Sequence, residues 1–380
     1  MRLRSLSVLV TVAVGAATAA CADDESAPTA SAPLVATSDA ATAGPAPSTA
    51  PLTVVPTTEA GAAPTTEADA PPTTPAPAVF PRTVEHAMGT TEIPAAPQRV
   101  VTLDMSFVDA ALALDSPIVG YTLYQDPDGS LPAYFGDALT TLAADATYMG
   151  DLLEPNIEAI AAAQPDLILT SKVRHEAIYD QLSAIAPTIM SESAGAGWKD
   201  NIRLTASALG KEATAEEVIV AYETRAAAVG AAVNEAADNP TISVVRFAAL
   251  DKFRLYQRAS FSGVVLDDAG LARPANQQST EPATFITEVS FEELAEADAG
   301  ADVLFYTIFG NEDPADEQAN GGRSAIEANP LWAALPTVQA DTAHEMSDET
   351  WMSAVGMYGA QAILDDLAAT FGVDPARDGA

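Results

Sequence analysis

Two cationic side chains follow a buried strand in the first half of the chain. Residues 167–169 (LIL) form a continuous apolar run, which is typical of a strand covered on both faces. The cations Lys172 and Arg174 follow within five residues, and His175 stands next to Arg174. In open parallel sheets, ligands sit outside the carboxyl ends of the strands. Because the chain carries only 17 Lys and Arg against 53 Asp and Glu, cations at such a strand end indicate a site for an anion.

Other kinds of chemistry find little support in the sequence. His86, His175 and His344 have no paired spacing, so no bare-metal site is predicted. Ser260 and Ser262 lack the glycine-flanked turn of a hydrolase nucleophile, and there is no glycine-rich phosphate loop. With so many carboxylates, a neighbouring acidic pair occurs by chance. We therefore predict no catalytic residue, no enzyme activity and no resident cofactor.

The charge of the chain limits the kinds of molecule that the protein can bind. The formal net charge is −36 over 380 residues, whereas contacts to nucleic-acid phosphates require clustered Lys and Arg. A nucleic-acid-binding surface is therefore excluded. The length is sufficient for two domains.

The N-terminus predicts export. Arg2 and Arg4 precede an apolar stretch at residues 6–17 and a small-residue cleavage region at 18–20, so residues 1–20 are predicted to be a signal peptide. Cys21 follows directly, and its position resembles the lipobox of bacterial lipoproteins, in which the thiol is acylated. We expect lipidation of Cys21, and ordinary secretion is the alternative.

The segment after Cys21 predicts a tether. A lipobox normally has an aliphatic residue where this chain has Thr18. Residues 22–81 are rich in Ala, Pro and Thr, and this composition cannot bury a core. We expect residues 21–81 to form a lipidated, disordered tether. It would anchor the exported protein to the outer face of the cytoplasmic membrane, with no other contact to the membrane.

The globular part begins near Arg82 and alternates strands with helices. Between residues 82 and 210, the pattern predicts a hairpin (83–93), strands (99–104, 118–123, 167–169) and helices (106–114, one starting at Asn156, 197–209), with a long loop at 125–147.

One long helix separates this series from a second one. Residues 214–237 show an unbroken helical pattern, within a connector at 211–239. Between 240 and 376, we predict strands at 242–247, 253–256, 303–307 and 337–340, and helices at 261–268, 291–297, 325–335 and 353–371. Alternating elements imply mostly parallel sheets. The predicted fold is α/β, with two Rossmann-like lobes joined by the long helix and a ligand cleft between them.

Several phrases in this order resemble a known family. These are QRVVTLD, EPNIEAIAAAQPDLIL with SKVRHEAIYDQLSAIAPT, SVVRF with RLYQRASFSGVVLDDAGLARP, and EVSFEELAEADAGADVLFY. Together they resemble the iron-siderophore substrate-binding lipoproteins of ABC importers over roughly residues 82–375. The resemblance implies capture of a ferric siderophore and its delivery to an ABC permease by a monomer without catalytic turnover.

The resemblance also implies ligand-binding residues. Arginine guanidinium groups hold carboxylate or hydroxamate oxygens, and aromatic rings supply apolar walls. The positions that match are Arg174, Arg246, Arg254, Tyr256 and Trp351. The alternatives are surface ion pairs for the arginines and core packing for Trp351.

Two carboxylates match the positions at which members of this family dock to the permease. They are Glu158 in PNIEAI and Glu292 in VSFEEL. Each is predicted to lie early in a short helix, where a carboxylate also interacts favourably with the helix dipole. That dipole role is the alternative.

Other functions remain open at this point. Haem or a corrinoid could occupy the same cleft, because haem propionates are also anionic. An exported cell-wall enzyme would need an acid, base or nucleophile constellation. A surface sensor could retain the fold without transport.

Overall fold

A computed structural model describes the protein over residues 79–124, 129–248, 252–281, 285–310 and 317–377. The predicted signal peptide, Cys21 and nearly all of the predicted tether lie outside the described residues. No helix in these stretches is both long and apolar enough to span a bilayer.

The first lobe is built on a parallel sheet of five strands. These are β3 (Val100–Thr102), β4 (Ile118–Leu123), β5 (Thr147–Asp151), β6 (Leu167–Ser171) and β7 (Thr188–Ser191), and a separate antiparallel hairpin is formed by β1 (Arg82–His86) and β2 (Gly89–Ile93). The strand order is β5-β4-β3-β6-β7, and every neighbouring pair is parallel. Strand β6 is buried along its whole length, as its apolar run predicts.

Short helices cover this sheet. They are α1 (Met105–Ala113), α2 (Ala138–Thr141), α3 (Ile157–Ala162), α4 (Lys172–His175), α5 (Tyr179–Ser183) and α6 (Trp198–Leu209), with 3-10 turns at Ala133–Phe135, Glu176–Ile178 and Gly195–Gly197. Asn156 caps α3, as predicted, because its side chain accepts a hydrogen bond from the Ala159 amide. The cap of α1 is Asp104, so the helix starts one residue before the predicted residue 106. Gly210 ends α6 in the left-handed conformation, which agrees with the predicted end of this helix at residue 209.

Helix α7 (Glu212–Ala236) lies in sequence between the two sheets. The second sheet contains β8 (Ile242–Phe247), β9 (Lys252–Tyr256), β10 (Ile286–Ser290), β11 (Val303–Ile308) and β12 (Ala343–Glu345), in the order β10-β9-β8-β11-β12. Strands β8, β11 and β12 pair in parallel, whereas β9 is antiparallel to both of its neighbours. The two sheets are therefore mostly parallel, and the mixed part lies at one edge of the second sheet.

The helices of the second lobe are α8 (Phe261–Asp268), α9 (Glu317–Glu327), α10 (Pro330–Ala333), α11 (Pro336–Gln339) and α12 (Met357–Phe371), with 3-10 turns at Ala275–Gln277 and Phe291–Ala297 and a π turn at Glu349–Ser353. Helix α8 has its predicted bounds. Ser260 caps it by accepting a hydrogen bond from the Gly263 amide at 3.0 Å.

Some predicted elements differ from the structure. The expected strand at 337–340 is wrong, because Pro336 starts the short helix α11 and the strand comes later, at β12. The expected helix at 325–335 is two helices, divided before Asn329, which caps α10. The last helix begins at Met357 and not at residue 353. The expected loop at 125–147 contains, in its described part, a 3-10 turn, α2 and the start of β5.

Helices α7 and α12 form the centre of the molecule. Helix α12 packs against α7, α1 and α8. One large apolar cluster includes Val100 of the first sheet, Tyr222 of α7, and Val244 and Phe305 of the second sheet. The two lobes therefore share a continuous core.

Candidate functional site

Three of the expected ligand residues lie together on the second sheet. Arg246 of β8 pairs directly with Arg254 of β9, and on their other sides they pair with Thr307 of β11 and Glu288 of β10. Residues that pair directly across a sheet share one face. Tyr256 stands two residues after Arg254 and lies on the same face. The row crosses β8 and β11 near their carboxyl ends, where ligands of open α/β sheets bind.

Arg246 is held by a carboxylate from a distant part of the chain. Its Nε donates to Asp348 Oδ1 at 2.7 Å, and its Nη2 donates to Asp348 Oδ2 at 2.5 Å. Asp348 Oδ1 also accepts from the Thr307 hydroxyl at 2.7 Å. The guanidinium stands 5.0 Å from the centre of the Phe309 ring and interacts electrostatically with the Tyr256 side chain. Two of its three nitrogens thus donate to Asp348.

Burial and pairing act in opposite directions on Arg246. The side chains of Arg246 and Asp348 are 12% and 4% exposed. Burial disfavours the charged guanidinium, but the interactions with Asp348 and Tyr256 together outweigh it and raise the pKa of Arg246. The guanidinium therefore stays charged.

Arg254 is held more loosely. Its Nε donates to Glu288 Oε1 at 3.2 Å, and a third of its side chain is exposed. Glu288 also accepts from Lys252 Nζ at 2.7 Å, so one carboxylate serves two cations. Hydrogen bonds from Lys252 and then from Arg254 lower the pKa of the Glu288 carboxyl. Arg254 is therefore better placed than Arg246 to exchange its partner for a ligand.

Arg174 provides the corresponding cation of the first lobe. It lies in α4, immediately after β6, with its Nε 3.7 Å from Asp104 Oδ2 and its side chain 39% exposed. Asp104 lies two residues beyond β3 and caps α1 by accepting hydrogen bonds from the amide and hydroxyl of Ser106. An open depression of about 400 Å³ is lined by Lys172, Val173, Arg174, Glu176, Ala177 and Glu192.

His175 anchors helix α4 to neighbouring segments through two hydrogen bonds of its imidazole. Its Nε2 donates to the carbonyl of Leu152 at 2.6 Å, and its Nδ1 meets the Thr170 hydroxyl at 2.6 Å. The side chain is buried, and burial lowers the pKa of the imidazole. His175 thus fixes the position of Arg174 as a neutral, structural residue. Over the described residues, no group of three or more His, Cys, Asp or Glu is arranged to hold a metal ion.

The two aromatic residues expected at the ligand are both buried. Trp351 is 0% exposed, its indole donates to Asp366 Oδ2 at 2.8 Å, and its ring lies 5.0 Å from that of Phe305. The structure places Trp351 in the core, as the alternative had it, and not at the surface of a cleft. Tyr256 is 7% exposed, and its contact with Arg246 holds it among the charged residues of the row.

The two carboxylates expected at the docking surface occupy equivalent places. Glu158 lies in the first turn of α3, which follows β5, and Glu292 lies in the first turn of the 3-10 helix that follows β10. Strands β5 and β10 are edge strands of their sheets. Both side chains are exposed. Glu158 and Glu292 are therefore exposed just beyond the carboxyl ends of equivalent edge strands, and Glu293, next to Glu292, is exposed as well.

Sequence reasoning assigned no role to three residues of this arrangement. Asp104 had a usable signal, because it lies two residues beyond the end of β3, as Arg174 lies three residues beyond the end of β6. His175 had none, since its burial depends on contacts with Thr170 and Leu152. Asp348 had none either, because it is one acid among 53 Asp and Glu and lies about a hundred residues from Arg246.

The sequence matches a family model described as periplasmic binding protein over residues 101–349. The chain belongs to the periplasmic binding protein family. Among curated members, it is 38% identical over 302 residues to the probable siderophore-binding lipoprotein YfiY of Bacillus subtilis, covering 76% of this chain and 87% of the relative. It is 30% identical over 307 residues to the ferric enterobactin-binding periplasmic protein FepB of Escherichia coli, covering 77% of this chain and 91% of that protein.

A solved structure agrees with this membership in the periplasmic binding protein family. Staphylococcus aureus SirA, in complex with staphyloferrin B, superposes with a TM-score of 0.68 at 29% identity, and the match covers 77% of this chain and 99% of SirA. The predicted architecture of two α/β lobes is thereby confirmed. The family and this structural neighbour are solute-binding proteins.

Proposed function

We propose that this protein is an extracytoplasmic solute-binding lipoprotein that captures a ferric siderophore and delivers it to an ABC importer. The observation that carries the proposal is a partly exposed arginine in each lobe, in a family whose relatives are named for siderophore binding. Arg174 lies just beyond the carboxyl end of β6, and Arg254 pairs with Arg246, which lies near the carboxyl end of β8. Binding is non-covalent, and the chain performs no turnover.

The charges suit an anionic chelate. Ferric siderophores present oxygen donors and often carboxylates, for which guanidinium groups are the preferred partners. Arg174 and Arg254 each have one acidic neighbour at 3.2 Å or more and retain exposed surface. We assign direct ligand contacts to these two residues. Arg246 and Tyr256 form the charged wall behind Arg254, and Trp351 supports this wall from the core.

Docking to the permease is assigned to Glu158 and Glu292. Both carboxylates are exposed at equivalent edges of the two lobes, so one partner surface with two basic sites could engage both. The positions also fit the helix-dipole role, which needs no partner. A transport assay separates the two roles.

The remaining assignments follow from the sequence. We propose a signal peptide at residues 1–20, a tether with lipidated Cys21 at 21–81, lobes at 82–210 and 240–376, and a connector at 211–239. The mature protein would be a monomer at the outer face of the cytoplasmic membrane and would carry no resident cofactor. Its iron would be cargo.

Isothermal titration calorimetry of the purified protein tests the proposal. The panel is ferric citrate, ferric hydroxamates, ferric catecholates, mixed hydroxamate–citrate ferric siderophores, haem and cobalamin. We expect saturable, submicromolar binding of one ferric siderophore and weaker binding of its iron-free form. If a correctly folded protein, verified by circular dichroism, binds haem or cobalamin but no siderophore, the proposal is wrong.

A further inference from the structure

The charge of Arg246 is cancelled inside the protein itself. The Asp348 carboxylate receives two hydrogen bonds from the guanidinium and a third from Thr307. Both members of the ion pair are nearly inaccessible to solvent, at 12% and 4% exposure. A ligand would have to break three hydrogen bonds and strand a buried carboxylate in order to take the place of Asp348, and such an exchange is unfavourable.

Because the charge of Arg246 is neutralised by Asp348, the net charge of the site depends on the ionised residues beside this pair. Arg254 and Lys252 share Glu288 on the adjoining strands. Among the described residues on this side of the second sheet, the cations Arg246, Arg254 and Lys252 therefore pair with only two carboxylates, Asp348 and Glu288. This group of residues, which we call the wall, has a net charge of one positive unit. Without the Asp348 charge, its net charge would be two positive units.

We propose that Asp348 is a specificity-determining residue that sets how much negative charge the site accepts in a ligand. The inference rests on the proposed function, because it concerns the same site. Asp348 and Arg246 form an ion pair with no net charge, and Arg254 remains as the cation that meets the ligand. A chelate with several negative charges is thereby held less tightly than the number of arginines would suggest.

The physical basis is the long reach of charge in a partly desolvated site. The interaction between unit charges falls only as the inverse of distance, and near a protein surface it is several times stronger than in water. One added positive charge therefore favours a multiply charged ligand over a neutral one, even without a new contact. We expect an effect of roughly tenfold per charge on the ratio of the two affinities.

The test compares two chelates on four proteins by calorimetry at low and high salt. The probes are ferric citrate, which is anionic, and a neutral ferric trihydroxamate. Asp348→Asn keeps an oxygen acceptor for Thr307 and removes the charge. It is expected to raise the ratio of the neutral to the anionic dissociation constant about tenfold at low salt, and the gain should shrink at high salt.

A charge-balanced variant separates charge from contact. In the double variant Arg246→Gln with Asp348→Asn, the wall regains one unbalanced charge. We expect the ratio to return to within about threefold of the wild-type value, whatever the effect on the absolute affinities. Asp267→Asn is the control, because it breaks an ion pair with Arg258, which lies two residues beyond β9 and outside the row of paired residues. This pair is more exposed, at 37% and 34%, so its loss should leave the ratio unchanged.

Each other outcome counts against a definite statement. If Asp348→Asn weakens both chelates equally, the residue is only structural and the inference is wrong. If the double variant selectively loses ferric citrate, Arg246 itself contacts the ligand and the inference is again wrong. Should Asp348→Asn fail to fold, Arg246→Gln must lower the ratio and the double variant must restore it. Failure of the wild type to bind any ferric chelate would overturn the proposed function and this inference together.

Discussion

The three arginines of the candidate site differ in how firmly each is held. Arg246 is buried in a bidentate pair, whereas Arg254 and Arg174 are 33% and 39% exposed and make longer contacts. Exposed ion pairs stabilise a protein by roughly 0–1 kcal/mol, but removing one member of a buried pair costs roughly 3–5 kcal/mol. The loosely held arginines can therefore change partners at little cost, and Arg246 cannot.

Truncating the exposed arginines should weaken ligand binding without unfolding the protein. We expect Arg174→Ala and Arg254→Ala each to raise the dissociation constant for the ferric siderophore by about tenfold or more, because a charge-assisted hydrogen bond contributes roughly 1.5–3 kcal/mol. Calorimetry measures the change. Arg203→Ala is the control, since Arg203 forms ion pairs with Asp200 and Glu216 on another surface. Unchanged affinity in both variants would remove them from the site.

Substitution of Arg246 should destabilise the protein much more than substitution of Arg254. Arg246→Ala leaves the Asp348 carboxylate buried and uncompensated, so we expect the free energy of unfolding to fall by roughly 3–5 kcal/mol. Arg254→Ala should lower it by less than about 1 kcal/mol. Urea unfolding at pH 7 measures both. Equal losses would contradict the difference in burial on which the site is argued.

Only part of the site was predictable from residue types. The placement of Arg174 followed from the apolar run before it, because strand ends in parallel sheets carry ligand sites. The pairing of Arg246 with Arg254 was not predictable, since it depends on an antiparallel turn within a mostly parallel fold. The location of Trp351 was also not predictable, because a tryptophan is equally suited to the wall of a cleft and to the core.

At the scale of the elements, α12 is joined to α1 by one buried carboxylate. Asp109 of α1 accepts hydrogen bonds from the amides of Met357, Tyr358 and Gly359 at 2.5, 2.9 and 3.4 Å. These are the first amides of α12, which have no partner within the helix. A side chain at Gly356 would place its Cβ 2.2 Å from the Asp109 carboxyl carbon, so this junction requires glycine.

This junction should make stability depend on pH. Burial raises the pKa of Asp109 to about 7, although the three amides lower it. In the unfolded chain an Asp titrates near pH 4, so the folded protein binds the additional proton between about pH 4 and 7 and loses stability as the pH rises through this window. Relative to Asp109→Asn, the wild type should lose on the order of 3 kcal/mol between pH 5 and 8. Urea unfolding of both proteins measures the difference, and parallel pH profiles would refute it.

The crossing of α7 and α8 depends on a close approach at Gly230. A Cβ at this position would lie 1.6 Å from the Ala269 carbonyl oxygen. We expect Gly230→Ala to lower the free energy of unfolding by roughly 3 kcal/mol, because a packed core accommodates an added methyl group poorly. Gly321→Ala, in α9 with open space around it, should stabilise the protein by about 0.5–1 kcal/mol. Thermal unfolding compares them, and a neutral Gly230→Ala would show that the helices can separate.

The elements that could be predicted are those with strong local signals. The hairpin β1–β2, the buried strand β6 and the helices α6 to α8 have periodic patterns or clear caps. Strands β5, β10 and β12 lie at sheet edges and were missed, because they are half-buried and gain most of their stability from pairing. The helix α11 was mistaken for a strand, since four residues contain too little periodicity to decide.

At the scale of the whole molecule, the lobes are not separate bodies. Helices α7 and α12 belong to an apolar cluster that reaches both sheets. A movement that parted the lobes there would expose buried apolar surface, at about 25 cal/mol for each Å². We therefore expect ligand-linked movement to be a small rotation about these helices, with the carboxyl ends of the strands approaching one another.

Transport should depend on the two exposed carboxylates together. We expect the double variant Glu158→Ala with Glu292→Ala to reduce iron uptake by cells at least about tenfold, because each exposed charge pair at a protein interface contributes to docking. Its calorimetric affinity for the siderophore should stay near the wild-type value. The control replaces two other exposed carboxylates, Glu85 of β1 and Glu217 of α7. Undiminished uptake would leave the carboxylates with the helix-dipole role alone.

The placement of the tryptophans gives the protein built-in optical probes. The chain has three, Trp198, Trp332 and Trp351, and they are 1%, 7% and 0% exposed. Their emission therefore reports on the interior, and a coloured ferric chelate would quench it by energy transfer across a distance and not by contact. Trp198 packs against Tyr222 of α7 and Phe261 of α8. A protein that keeps only this indole would register the rotation of one lobe against the other in its spectrum.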